Sequence, residues 1–190
     1  MKRMDLETKR LRIGEWTPEL AEALFYLSQD ESNRRFLPDE AFDTIAQAQA
    51  AIAEYIVNRH AGTGTQSCPV FRKGGTCIGH VALCPMEDWD EEAWEIEYHI
   101  GEAFRDHGYA AEAVQAFLPV IAAQLGVKQL RGICTEDNLA SRRVLERCGF
   151  RKYREKAVIY YGRPATAVFY RYDCQEPVSY THLTLPTICS

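Results

Sequence analysis

Two stretches of this sequence carry residues whose types and spacing suit chemistry. The first runs from Trp94 to Leu125 and reads WEIEYHIGEAFRDHGYAAEAVQAFLPVIAAQL. Within it, Arg105-Asp106-His107-Gly108-Tyr109-Ala110 forms a turn that opens a helix. Backbone N–H groups at a helix start lack intrahelical partners and sit at the positive end of the dipole. Such a turn is suited to a phosphate or pyrophosphate. Gly108 permits the tight turn and a close ligand approach. Just upstream, Glu95, Glu97 and His99 alternate along a strand and share one face, with Trp94, Ile96, Tyr98 and Ile100 on the other. Buried strand faces carry charge only with partners or water. Three ionisable groups in a row therefore point to a wet cavity. Glu97 is the first candidate for a base, with Glu95 and His99 as alternates. A partly exposed strand face without chemistry is the plain alternative.

The second stretch, Leu130 to Phe150, reads LRGICTEDNLASRRVLERCGF. It is a short β-type run followed by a helix. Asn138 suits the N-cap and Gly149 the C′ position.

Together the two stretches resemble the GNAT superfamily of acetyl-CoA-dependent N-acetyltransferases. The first matches the family pattern Gln/Arg-x-x-Gly-x-Gly/Ala. The second matches Asn-x-x-Ser/Ala followed by Gly-Phe. Leu6-Glu7-Thr8-Lys9-Arg10-Leu11-Arg12-Ile13 looks like the Leu-x-Thr-x-Arg-Leu opening of the RimJ/RimL-like branch, which includes ribosomal-protein N-terminal acetyltransferases. The resemblance runs from about Leu6 to about Asp173.

The resemblance implies an α/β fold with a mixed, mostly antiparallel sheet flanked by helices. It implies acetyl-CoA as cosubstrate and a primary amine as acceptor, either a peptide N-terminus or a small molecule. An alkyl ammonium has a pKa of about 10.4, so it must lose a proton before attacking a thioester. The backbone of Tyr98, His99 and Ile100 would pair with pantetheine. Arg105, Asp106, His107, Gly108, Tyr109 and Ala110 would cradle the pyrophosphate through N–H groups. Asn138 would also hydrogen-bond the pantetheine arm. Many relatives carry a tyrosine acid where this chain has Leu145, and Ser141 is the expected replacement. Relatives in the branch often have a small residue at the Glu97 position. The competing reading is a GNAT-like acyl-CoA-binding or sensory module without turnover.

These residues need a scaffold, and the rest of the chain supplies its signals. Arg10 to Ile13 alternates as a strand. Thr17 as N-cap and Pro18 as first-turn proline open a helix to about Ser28. Asn33 to Phe42 is expected as a loop whose Phe36-Leu37-Pro38 lines an acceptor groove. Thr44 and Gln47 suit a capping box for a helix to about His60. Strands Pro69–Lys73 and Thr76–Cys84 flank Gly74-Gly75 in a hairpin pattern. A helix from Ala110 stops at Gly126, with a kink expected at Pro119. Gln129–Cys134 reads as a strand and Asn138–Arg147 as a helix. A closing hairpin surrounds Gly162-Arg163-Pro164. The expected order is β-α-α-β-β-β-α-β-α-β-β.

Composition narrows the class. The chain has 190 residues and a net charge of −5. One domain over residues 1–177 is expected. The acidic balance argues against nucleic acid as a partner. No apolar run suits a membrane span, and MKRMDLETKR lacks a secretory h-region. Seven cysteines without a Cys-x-x-Cys pair fit a reduced, cytoplasmic setting. Cys77, Cys84 and Cys134 sit in apolar stretches, as small buried hydrophobes do. His60, His80 and His99 show no metal-ligand spacing, and no metal is expected. The acidic run Glu87–Glu92 reads as a solvated loop or as a rim that draws cationic acceptors. The tail from Val178, VSYTHLTLPTICS, resembles translated sequencing-library adapter and is expected to be non-native. A monomer or a homodimer fits equally.

Overall fold

The computed structural model describes residues 1–86 and 93–174. The acidic run at 87–92 and the tail from 178 lie outside the described residues. Eight strands form one sheet: β1 (Leu6–Glu7), β2 (Leu11–Ile13), β3 (Gln66–Arg72), β4 (Cys77–Met86), β5 (Ala93–Ile100), β6 (Gln129–Thr135), β7 (Arg151–Tyr160) and β8 (Arg163–Asp173). Their order is β1-β2-β3-β4-β5-β6-β8-β7. Among the described residues only β5 and β6 pair in parallel; the other neighbours are antiparallel. The helices are α1 (Ala21–Leu27), α2 (Glu31–Phe36), α3 (Ile45–Ala61), α4 (Tyr109–Leu125) and α5 (Leu139–Arg147).

Local chemistry explains most element ends. Thr44 and Gln47 form the expected capping box at α3. Asn138 caps α5 by accepting from the Ser141 N–H. At the other end of α5, the Phe150 N–H bonds the Leu145 carbonyl and the Gly149 N–H the Glu146 carbonyl. This closure needs a left-handed residue, and Gly149 has φ +88°. Helix α4 runs on through Pro119 to Leu125.

Three expectations change. Thr17 makes no side-chain cap; a 3-10 turn (Pro18–Leu20) precedes α1. Asn33 to Phe42 is not a plain loop. Asp30 caps α2 through the Asn33 N–H, and Pro38 then opens a second 3-10 turn ending at Glu40. The last hairpin turns at Tyr161-Gly162, both at positive φ, so Arg163 already pairs with Tyr160.

Two apolar clusters cover the two faces of the sheet. On one, Val114, Phe117 and Ile121 of α4 pack with Val81, Ile96 and Leu130. On the other, Trp16, Leu24, Ile52 and Tyr55 form a smaller cluster under α1 and α3. Parallel pairing of β5 with β6 covers only Trp94 with Leu130 and Glu95 with Arg131. Beyond Glu95 the two strands diverge, and the site lies where they part.

Candidate active site

The divergence opens a cavity of about 800 Å³. Helix α4 begins at its mouth. Gly108, the residue before α4, has φ +75°, a left-handed conformation that costs glycine little. Arginines gather at this end: Arg105, Arg143 and Arg147 all line the cavity. A side-chain carbon at Gly108 would sit 3.5 Å from Arg147 Nη1 and 3.7 Å from Arg10 Nη2. The first N–H groups of α4 and this positive charge make a mouth of a kind suited to an anion.

The start of the chain fastens that mouth. Arg10 Nη1 donates to the His107 carbonyl at 2.8 Å and Nε to Glu112 Oε2 at 2.6 Å. Thr8 Oγ1 donates to Glu112 Oε1 at 2.5 Å. Burial works to raise the Glu112 pKa, but the Thr8 and Arg10 bonds outweigh it and hold the carboxyl below its ordinary value. Arg10 also lies over the Tyr109 ring, 4.7 Å from its centre.

The opposite end is acidic. Glu95, Glu97 and His99 share one face of β5, as alternation requires. His80 faces His99 across the β4–β5 pairing, and Ala82 faces Glu97. His80 is 3% exposed. Its Nε2 lies 3.5 Å from Glu97 Oε1 and 3.5 Å from Glu40 Oε2. Tyr55 donates to Glu40 Oε1 at 2.9 Å, and Asn33 Nδ2 donates to the Glu40 carbonyl at 3.1 Å. Burial and the Glu97 charge push the Glu40 carboxyl up to about 7. Burial also acts to raise Glu97, but its contacts with His80 prevail and hold it below the ordinary value. Burial acts to lower the His80 pKa, and the two carboxylates outweigh it, so that pKa rises.

Glu95 and His99 are otherwise engaged. The Ile133 N–H donates to Glu95 Oε1 at 3.1 Å. Burial, reinforced by the Glu97 charge, pushes the Glu95 carboxyl up to about 8. His99 Nε2 lies 3.1 Å from Asp30 Oδ2. Arg105 donates to the same Asp30 oxygen at 2.7 Å and to the Ile100 carbonyl at 2.8 Å. The Arg105 side chain is thereby an internal fastener.

Between the two ends, on the α5 side, the Tyr98 hydroxyl lies 2.9 Å from Ser141 Oγ and 3.0 Å from the Ser141 carbonyl. Burial raises the Tyr98 pKa well above a phenol's ordinary value. Leu145, 1% exposed, packs on Gly132, where an added carbon would come within 2.5 Å of it.

All the residues expected at the site line this cavity except His107 and Pro38. The His107 ring is exposed and packs on Tyr109 at 5.6 Å between centres, while its carbonyl is held by Arg10. Phe36 and Leu37 line the acidic end as expected, and Tyr160 closes on them by donating to the Phe36 carbonyl at 2.7 Å. Sequence reasoning missed Asp30, Glu40 and His80 as site residues. Asp30 had a local signal, an Asp three residues before Asn33 at a helix start. Glu40 had none, and His80 was hidden in an apolar run.

Residues 10–151 match the family model for the acetyltransferase (GNAT) domain. The chain therefore belongs to the GNAT acetyltransferase family and is an acetyl-CoA-dependent acyltransferase. It is 27% identical over 150 residues to the uncharacterised N-acetyltransferase YnaD of Bacillus subtilis, covering 78% of this chain and 84% of the relative. Its fold matches RimL, a ribosomal L7/L12 α-N-protein acetyltransferase solved with coenzyme A. The TM-score is 0.77 at 17% identity, over 91% of this chain and 98% of that one. It also matches the microcin C7 self-immunity acetyltransferase MccE, solved with acetyl-CoA and AMP. Here the TM-score is 0.74 at 20% identity, over 87% and 93% of the two chains. No helix among the described residues is long and apolar enough to cross a membrane.

Proposed function

We propose that this chain transfers an acetyl group from acetyl-CoA to a primary amine, with Glu97 as the base. The observation that carries the reading is the cavity's polarity: arginines and a helix start at one end, Glu40 and Glu97 at the other. The residues fit the donor. The free edge of β5 at Tyr98, His99 and Ile100 offers backbone groups to the pantetheine arm, because β6 has left it. The turn from Arg105 to Ala110 offers N–H groups to the pyrophosphate. Asn138 uses its side-chain oxygen as a cap and keeps its amide N–H₂ for the arm. Acetyl-CoA supplies the activated carbonyl.

Glu97 takes the proton of the incoming ammonium, and His80 behind it steadies the carboxylate. Glu95 is the alternate base: burial makes its carboxyl more basic, but its Oε1 is already occupied by the Ile133 N–H. Ser141 donates a proton to the departing CoA thiolate, and the Tyr98 hydroxyl beside it can resupply that proton. The RimJ/RimL branch is supported by the opening motif at Leu6–Ile13 and by the RimL fold match. Within this reading a peptide N-terminus and a small amine both suit the acidic end.

The test is release of coenzyme A thiol by the full chain against a panel of amines and N-terminal peptides. Turnover with one acceptor class supports the reading and identifies the acceptor. Tight acetyl-CoA binding without turnover on any amine overturns it.

A further inference from the structure

Glu40, His80 and Glu97 come from three separate elements: the turn after Pro38, strand β4 and strand β5. Their facing atoms all lie within 4.8 Å of one another. The His80 ring is buried, yet neither of its nitrogens has a hydrogen-bond partner, and neither do Glu40 Oε2 or Glu97 Oε1. Leaving a buried polar group unpaired costs about 1–3 kcal/mol. Three of these atoms, His80 Nε2, Glu40 Oε2 and Glu97 Oε1, converge on one point and leave room for something between them.

The spacing says what. His80 Nε2 stands 3.5 Å from each carboxylate oxygen, long for a hydrogen bond. Ligands bound at about 2.0–2.1 Å around a tetrahedral ion are roughly 3.4 Å apart. We propose that Glu40, His80 and Glu97 form a site for a divalent zinc-type cation, with the fourth position facing the cavity. One imidazole nitrogen and two carboxylate oxygens suit zinc better than calcium or magnesium. Binding displaces the protons held by the cluster, after which two carboxylates and a neutral imidazole carry the charge that a divalent ion cancels. Both glutamates line the cavity, which gives the ion its entry. The ligands are also held from behind. Tyr55 bonds the other oxygen of Glu40 at 2.9 Å, and the Trp16 and His99 rings flank His80 at 6.4 and 6.0 Å. The expectation of no metal came from spacing along the chain, which cannot see three elements meeting.

The ion and an acceptor ammonium want the same carboxylates, so zinc inhibits by excluding the amine. That consequence rests on the proposed amine acetylation; the binding itself does not.

Calorimetry of the reduced full chain with zinc chloride tests the site. One ion per chain is expected, with a Kd of about 1 μM or tighter. His80→Ala and Glu40→Gln are each expected to weaken it by about 100-fold while still binding acetyl-CoA. Cobalt(II) is expected to give tetrahedral ligand-field bands without a thiolate charge-transfer band. No saturable binding, binding that survives both substitutions, or a thiolate band from the cysteines overturns the site. If either variant loses acetyl-CoA binding as well, Glu97→Gln replaces it in the same comparison. Inhibition competitive with the amine and not with acetyl-CoA supports the shared carboxylates. Zinc bound without inhibition of a working acetylation overturns that sharing and leaves the site standing.

Discussion

The Ile133 N–H donates to the Glu95 carboxyl at 3.1 Å, from one strand to the other at the point where they stop pairing. A side chain here does the work that a strand partner's carbonyl would do. The parting of β5 and β6 is thus sealed at its root, and the cavity beyond keeps a defined edge. Glu97, two residues on, is free of this duty: its Oε1 lies by His80, and its Oε2 accepts from Cys84 Sγ at 3.8 Å.

Replacing Glu95 separates the seal from the chemistry. Glu95→Gln keeps an acceptor oxygen, and the folded state is expected to hold within about 0.5 kcal/mol. Glu95→Leu leaves the Ile133 N–H without its partner and is expected to cost about 1–3 kcal/mol. Chemical denaturation of the two variants checks this. Equal losses in both would show that the bond contributes nothing.

Glu97→Gln is expected to lower the acetylation rate by about 100-fold or more, within the range of a lost general base. Acetyl-CoA affinity is expected to change little, because the arginine-lined mouth proposed for its phosphates lies at the other end of the cavity. Steady-state rates and calorimetry on the same preparation decide it. An unchanged rate would move the proton to Glu95, His99 or solvent.

Gly108→Trp is expected to weaken acetyl-CoA binding by more than tenfold, which corresponds to about 1.4 kcal/mol. An indole there fills the approach to the first N–H groups of α4, and a non-glycine residue strains φ +75°. Unchanged affinity in a folded variant would remove the phosphate role from this turn.

The Thr8–Arg10–Glu112 clasp predicts a remote effect. Glu112→Ala frees Arg10 and Thr8, which hold the turn through Glu112 and the His107 carbonyl. Acetyl-CoA affinity is expected to fall by about three- to tenfold, at roughly 0.5–1.5 kcal/mol for a lost hydrogen bond. The rate at saturating donor is expected to stay near the parent's. A fall in that rate with affinity intact would contradict the clasp.

The sequence showed what is local and hid what is long-range. The capping box at Thr44, the Asn138 cap, the Gly149 closure and the turn at Gly108 each depend on a few adjacent residues, so their types announced them. The shared face of Glu95, Glu97 and His99 followed from strand alternation alone. Helix α2 was missed because six residues carry no period. The partners of the β5 face were missed for another reason. Glu40 and His80 reach Glu97 only once a turn and a neighbouring strand have packed, and no spacing along the chain encodes that. The opening motif lies between: its residues were legible as a resemblance, and their grip on Glu112 became clear only in the folded chain.

Asp30 gives a prediction in pH. Its Oδ2 receives Arg105 at 2.7 Å and faces His99 at 3.1 Å, while Oδ1 caps α2 through the Asn33 N–H at 2.8 Å. Burial alone would raise its pKa, but the bonds from His99, Arg105 and Asn33 prevail and hold it well below the carboxylate range. A folded-state pKa below the unfolded one stabilises the fold above the unfolded value of about 3.9, and that contribution is lost as pH falls through the folded value. Asp30→Asn keeps a capping oxygen and loses only the charge. At neutral pH it is expected to cost about 1.5–3 kcal/mol, the range for a hydrogen bond to a charged group. The gap between parent and variant is expected to narrow below about pH 4, where the unfolded chain takes up the proton. Denaturant titrations at neutral pH and near pH 3 measure both gaps. A gap that stays constant with pH would mean that Asp30 acts through shape and capping, with its charge contributing nothing.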